Sequence, residues 1–374
     1  MVVTTEKLPP IVKYERDLAS GQFKPDAAQR RAVEALQRLY DDLLVSEQHH
    51  QGGWLRRLKQ RIQGAPVAPK GIYFWGGVGR GKTYLVDTFF DSLPFNRKLR
   101  LHFHRFMHRI HDELKALKGR SDPLPIIADK LALEARVLCF DEFFVQDITD
   151  AMILGTLMQE LFARGVVLVA TSNIVPDDLY RNGLQRQRFI PAIEQIKLHC
   201  DVINVDSGID YRLRTLTQAQ IYHTPADAAA DASLQGYFHQ LVPNYDATAA
   251  ATEIEINHRN IPIRMVHDGV IMFSFSALCE TARSQNDYIE IAQCYHTVLI
   301  SDVPQMGAHN DDAARRFIAL VDEFYERRVK LIMSATVPLD QLYSQGTLNF
   351  EFKRCISRLR EMQSHEYLGL AHKS

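Results

Sequence analysis

The hydrophobic positions change period along the chain, and each change marks an element. Val33, Leu36, Leu39, Tyr40, Leu43 and Leu44 recur at helical spacing after Pro25-Asp26-Ala27-Ala28-Gln29. Asp26 with Gln29 three residues on reads as a capping box, so a helix is predicted to open there. Residues 1–24, with Pro9-Pro10, read as an irregular stretch. Residues 45–70 are polar, then basic from Trp54 to Arg61, and close on Pro66 and Pro69. Together, residues 1–70 read as an N-terminal helical leader.

From Gly71 the pattern becomes short apolar runs alternating with amphipathic stretches. Ile72-Tyr73-Phe74-Trp75, Leu99-Arg100-Leu101-His102-Phe103, Val137-Leu138-Cys139-Phe140, Val166 to Ala170 and Val202-Ile203-Asn204-Val205 read as strands. Helices are predicted over 82–92, after the second strand to Leu117, and over 147–164. The last carries Leu154, Leu157, Met158 and Leu161 on one face and ends at Gly165, a natural cap. Apolar runs without alternation, joined by helices, predict an α/β fold: a parallel sheet with helices on both faces, placed at 71–214.

Residues 215–374 read as a mixed α/β C-terminal region. The Ala-, Asp- and Thr-rich segments 223–236 and 243–252 read as loop, and β-branched runs at 252–256 and 261–265 predict an antiparallel, β-rich insertion. Residues 298–343 echo 137–180: strand, acidic residue, Asp-rich cap, amphipathic helix, strand, Pro, then Leu-Tyr. Aligned on the shared aspartate, Asp302 falls opposite Asp141 and Val303 opposite Glu142. The echo is either a layout that two α/β units share or a degenerate duplication without the acidic pair.

Onto this frame falls one strong motif. Gly76-Gly77-Val78-Gly79-Arg80-Gly81-Lys82-Thr83 fits GxxxxGK[ST], with its strand before and its helix after. Glycines let successive backbone N–H groups turn inward around phosphates, and the helix aims its N-terminus at the same anion. Lys82 supplies a point charge for the β- and γ-phosphates of ATP, and the Thr83 hydroxyl can ligate Mg²⁺. Asp141-Glu142 ends the third strand: the first acid is placed to hold the metal's outer shell, the second to orient and deprotonate water. Thr171-Ser172-Asn173 ends the next strand, where Asn173 either helps position that water or caps the strand. Gln185-Arg186-Gln187-Arg188-Phe189 precedes the fifth strand. In ring-forming ATPases an arginine there reaches a neighbour's γ-phosphate, so Arg186 and Arg188 are candidates for a finger or form a solvated basic turn.

Composition narrows the partners. With 44 basic and 45 acidic residues the net charge is -1, so no global field favours nucleic acid. A nucleic-acid-stimulated motor or loader stays as the alternative, to be revived only by a local patch such as Trp54 to Arg61. A small-molecule kinase fits less well, because it has no use for the water-activating Glu142. The five cysteines lie far apart with no CxxC pair, which reads as buried thiols in a reducing compartment. No run approaches the ~18 apolar residues of a membrane helix, and the start lacks a signal-peptide layout, so no integral membrane segment and a cytoplasmic location are expected. His104, His108 and His111 share a helix face without a partner that would complete a metal set. Gln29 is a candidate adenine reader whose capping role already accounts for it.

With these residues in place, the chain resembles the Afg-type AAA+-like ATPase family, in its bacterial branch. Matching stretches are Gly71 to Thr83, His102-Phe103-His104-Arg105-Phe106-Met107 and Val137 to Phe143. They continue through Ala170-Thr171-Ser172-Asn173, Gly183-Leu184-Gln185-Arg186, Asp210-Tyr211-Arg212 and Ser357 to Ser364, so the likeness runs from about residue 10 to 368. The resemblance implies a P-loop NTPase of AAA+/ASCE type. In it Lys82, Asp141, Glu142 and Asn173 serve as Walker-A lysine, metal aspartate, catalytic glutamate and first sensor. Arg186 or Arg188 would be the finger and Arg358 a second sensor. It further implies a homo-oligomer that remodels a protein partner. For the bacterial branch that partner is FtsZ, the tubulin-like protein of the division ring, or another protein of that ring; mitochondrial relatives serve protein quality control. The chain departs from typical ring ATPases in lacking a plain helical lid after the fifth strand.

Overall fold

Five of the predicted strands form one parallel sheet: β1 Gly71–Trp75, β2 Lys98–His102, β3 Val137–Asp141, β4 Val167–Ser172 and β5 Cys200–Asn204. The structure, a computed structural model, describes residues 7–20, 26–50, 68–77, 81–145, 147–206, 216, 219–242, 245 and 251–373. The chain divides into two units, Met1–Ile209 and Asp210–Ser374. In the first the strand order is β2-β3-β4-β1-β5, with every neighbouring pair parallel. Because β1 is inserted between β4 and β5, the ends of β1, β4 and β3 emerge side by side on one edge. Such a switch in strand order opens a crevice at the carboxyl edge of the sheet.

The inner strands β1, β3 and β4 are buried along almost their whole length because alternate residues serve opposite layers. Ile72, Phe74, Val137, Cys139, Val167 and Val169 pack under α1 (Pro10–Ala19), α2 (Ala27–His50) and α3 (Lys82–Ser92), against Tyr14, Leu36, Leu85 and Phe89. Tyr73, Leu138, Phe140, Leu168 and Ala170 pack on the other side. There α4 (Phe103–Ala116), α5 (Pro123–Glu134), α6 (Ile148–Ala163) and α7 (Ile190–His199) bring Phe106, Leu131, Leu154 and Ile193. Asp26 caps α2 as expected, its Oδ1 accepting from the N–H groups of Ala28 and Gln29.

One correction applies here. Residues 10–19, read as irregular, form α1: Pro10 occupies the first helical position, where a missing N–H costs nothing, and Tyr14 is buried. α5, for which no reading was offered, likewise opens on a proline, Pro123, a residue favourable at a helix start. The leader helices share the core of β1 and α3.

The second unit contains β6 (Tyr222–His223), α8 (Ala228–Leu241), the hairpin β7–β8 (Glu253–Ile256, Arg259–Pro262), β9 (Met265–His267) and β10 (Val270–Ser274). α9 (Gln285–Cys294), β11 (Thr297–Val303), α10 (Asp311–Glu326), β12 (Lys330–Ala335), α11 (Asn349–Glu361) and α12 (His365–Leu368) follow. The antiparallel hairpin is the one foreseen. The reading of 223–236 as loop was wrong: its alanines are strong helix formers, and the Asp227 carboxylate caps α8 through the Ala230 N–H at 2.8 Å. Of segment 243–252 only residues 245, 251 and 252 are described, and Trp54 to Arg61 lies outside the described residues.

The sheet here runs β6-β12-β11-β10-β9, parallel except for β9. β10, β11, β12 and β6 thus repeat the order of β2, β3, β4 and β1. The foreseen echo is present in the backbone, but one residue out of the register read from the letters. Glu142 has φ 54° and its N–H donates to Thr171 Oγ1 at 3.1 Å; Asp302 has φ 62° and its N–H donates to Ser334 Oγ at 3.1 Å. Asp302 therefore matches Glu142, and Ser301 stands where Asp141 does. Aligning on the shared aspartate misplaced it because Asp141 continues its strand, whereas Asp302 sits at a break in register between Ile300 and Val303.

His372 closes the second unit with its Nε2 at 2.7 Å from the Ala292 carbonyl. Burial pushes its imidazole down to about 4, from an ordinary value near 6.5. Between those two values the unfolded chain binds the extra proton, so stability holds above pH ~6.5 and is lost as pH falls toward ~4. Lowering pH from 7 to 5 is expected to cost about 2 kcal/mol through this residue. The His372→Gln variant should show a shallower acid-side fall in thermal midpoint; identical slopes would rule the assignment out.

Candidate nucleotide site

The motif loop leaves β1 at Gly76 and enters α3 at Lys82. Gly76 has φ 148° and Gly81 φ 75°. The left-handed backbone demands glycine at Gly81, and a Cβ there would lie 2.7 Å from Nε2 of Gln29 and displace that amide. Gln29 itself is 7% exposed and brings its amide against Gly81, a placement its capping role did not foretell. Val78, Gly79 and Arg80 lie outside the described residues.

Lys82 ties the loop to the neighbouring strand end. Its Nζ donates to the carbonyls of Gly76 and Gly77 at 2.5 and 2.8 Å and to Asn173 Oδ1 at 2.9 Å. Asn173, just past β4, is thus brought to the lysine. Thr83 follows on the first turn of α3.

One strand over, β3 ends in Asp141, 8% exposed, with Glu142 next to it. The Glu142 backbone is left-handed, a conformation that costs a non-glycine residue about 1–3 kcal/mol and concentrates at functional sites. It is held there by stitches between the ends of β3 and β4. Besides the Thr171 hydroxyl, the Phe143 N–H donates to Thr171 O at 2.7 Å, and Ser172 Oγ donates to Phe143 O at 2.8 Å. Sequence reasoning assigned nothing to Thr171 and Ser172 beyond polarity; their burial at 3% and 1% reflects this bracing.

Two further residues were missed. Arg100 on β2 donates from Nε to Asp141 Oδ2 at 2.8 Å and from Nη2 to Oδ1 at 3.2 Å, and its Nη1 pairs with Asp87 on α3. An arginine between two strand leucines, Leu99-Arg100-Leu101, is itself a signal, because a charge drawn partly into a sheet needs a partner.

The candidate arginines differ. On the short turn Arg186–Arg188 before α7, Arg186 is held by its Nη2 bond to Asp177 O at 2.5 Å. Arg188 is exposed, with one long contact from Nη1 to Met152 Sδ at 3.9 Å among the described residues. Arg358 sits on α11 of the second unit, paired with Asp322 and Glu326 and stacked over Tyr325 at 4.9 Å. Of the three histidines, His111 Nε2 lies 2.6 Å from Asp150 Oδ1, and His104 stacks edge-on against His108. The five cysteines are buried and unbridged.

A left-handed glycine in the loop, a lysine caged by neutral oxygens, a threonine and a strand-end carboxylate are residue types that fit a triphosphate with its magnesium. Residues 8–371 match the AFG1-like ATPase family. The chain is 51% identical over 375 residues to Cell division protein ZapE of Escherichia coli (strain K12), with 98% of this chain and 99% of that protein covered. It is 35% identical over 353 residues to Lactation elevated protein 1 homolog B of Danio rerio, covering 83% of this chain and 70% of that one. Among solved structures, that of DnaI covers 49% of this chain and 87% of its own, at 16% identity and a TM-score of 0.34. The chain belongs to the AFG1-like ATPase family and is a P-loop ATPase.

Proposed function

We propose that the chain hydrolyses Mg-ATP as a homo-oligomer and uses the cycle to remodel a protein of the bacterial division ring. The observation that carries the reading is the junction of Lys82, Asn173 and the Asp141-Glu142 pair on one sheet edge; Arg188, on the turn before α7, is exposed. Mg²⁺, when bound, would supply positive charge that offsets the charge of the triphosphate. Lys82 and the loop N–H groups of Gly76 to Thr83 bind the phosphates. The Thr83 hydroxyl and the Asp141 carboxylate hold the metal, Glu142 takes the proton from the attacking water, and Asn173 orients that water beside Lys82. Arg188 supplies charge to a neighbour's γ-phosphate, the service that makes an oligomer necessary; Arg186 is its bound companion.

The relative in Escherichia coli carries the name of a division protein, which supports FtsZ or another division-ring protein as the target and the cytoplasm as the place. Among the described residues no helix is long and apolar enough to cross a membrane. The test is capture. With ATP, the Glu142→Gln chain should retain a division-ring protein from a lysate, and Lys82→Ala should not. Capture that is equal for both variants, or salt-sensitive recovery of DNA alone, would overturn the reading.

A further inference from the structure

We propose that Arg100 is a positioning residue that sets the magnesium affinity of the site, by fixing Asp141 against the helix that carries Thr83. This rests on the reading of Asp141 and Thr83 as metal residues. One guanidinium joins three places: both oxygens of Asp141 at the end of β3, and Asp87 on α3. Asp87 follows Thr83 by four residues, so the two share a face of α3, one turn apart. The arginine is therefore a strut between the strand that presents the acid and the helix that presents the hydroxyl. Its side chain is 20% exposed, against 11% for Asp141 and 27% for Asp87.

The chemistry explains why an arginine and why here. Mg²⁺ demands near-ideal octahedral geometry and usually keeps several waters, so a Thr83 hydroxyl and an Asp141 carboxylate that together hold it and its water shell would need a fixed separation. The planar fork meets Asp141 side-on and still has a third nitrogen for Asp87, which a lysine cannot do. Two carboxylates and one guanidinium leave one negative charge, so the site keeps its attraction for a cation. Without Arg100 the two acids repel, and nothing planar orients Asp141. Loss of a comparable group behind a metal ligand costs about 10–100-fold in metal affinity.

The test is equilibrium binding of a non-hydrolysable fluorescent ATP analogue, titrated with Mg²⁺ and repeated in EDTA. Arg100→Ala is expected to raise the half-saturating Mg²⁺ by about 10–100-fold while affinity in EDTA stays at the parent value. Arg100→Lys, which keeps the charge and the fold but not the fork, should fall between. Adding Asp87→Asn to Arg100→Ala should bring little further loss, because the strut is already gone. Unchanged Mg²⁺ dependence in both arginine variants, or equal losses with and without Mg²⁺, would overturn the inference. Asp141→Asn separates the two levels. If it shifts the Mg²⁺ titration and the arginine variants do not, only Arg100's role fails; if it too has no effect, the metal reading of the site fails first.

Discussion

Glu142→Gln is expected to bind ATP as the parent does and to turn it over about 10²–10⁴-fold more slowly. The substitution keeps size, shape and the left-handed backbone whose N–H is fixed on Thr171. It removes only the capacity to take a proton, since a carboxamide is no base near neutral pH. Binding should persist because Lys82, the loop and Asp141 are untouched. Single-turnover phosphate release, set beside nucleotide affinity from the same preparation, separates the two. Parent-like release would remove Glu142 from the mechanism; loss of binding would mean that the residue supports the loop rather than the water. Glu142→Asp is the sharper probe. It keeps the carboxylate but retracts it by one methylene, so an intermediate rate is expected from misplacement alone.

What could be read from the residues was what is local. The loop motif, its flanking strand and helix, and the acidic pair at a strand end each lie within one short stretch, and buried strands bounded by helices have little else to become. Elements were lost where a local cue pointed two ways. Pro10 and Pro123 mark helix starts as readily as breaks, and the alanines before Leu234 lack the periodic contrast that would announce α8. The site's bracing was illegible for a different reason. Arg100 and Asp141 are 41 residues apart in sequence, and nothing in either neighbourhood names the other. The sheet register that sets His102 beside Asp141 brings them together, and register is a property of the assembled sheet. The same holds for the echo in the second unit. Identical letters aligned Asp302 with Asp141, while backbone hand and the hydroxyl it binds align Asp302 with Glu142.

The second large effect is expected at Arg188. Arg188→Ala should lower turnover by about 10³–10⁵-fold without loss of ATP binding, the range associated with an arginine finger. Arg186→Ala should act more weakly, because its guanidinium is already engaged by the Asp177 carbonyl and supports the turn. The decisive measurement mixes variants. A Lys82→Ala subunit lacks a working loop but retains Arg188, and an Arg188→Ala subunit retains the loop but lacks the finger. Each alone should be inactive. Co-assembled, the first can lend its arginine to the second, so partial turnover should return in proportion to mixed neighbours. An Arg188→Ala chain that hydrolyses ATP normally would exclude the residue. Two inactive variants that stay inactive when mixed, though shown to co-assemble, would place the missing charge within the same chain and remove the reason for an oligomer.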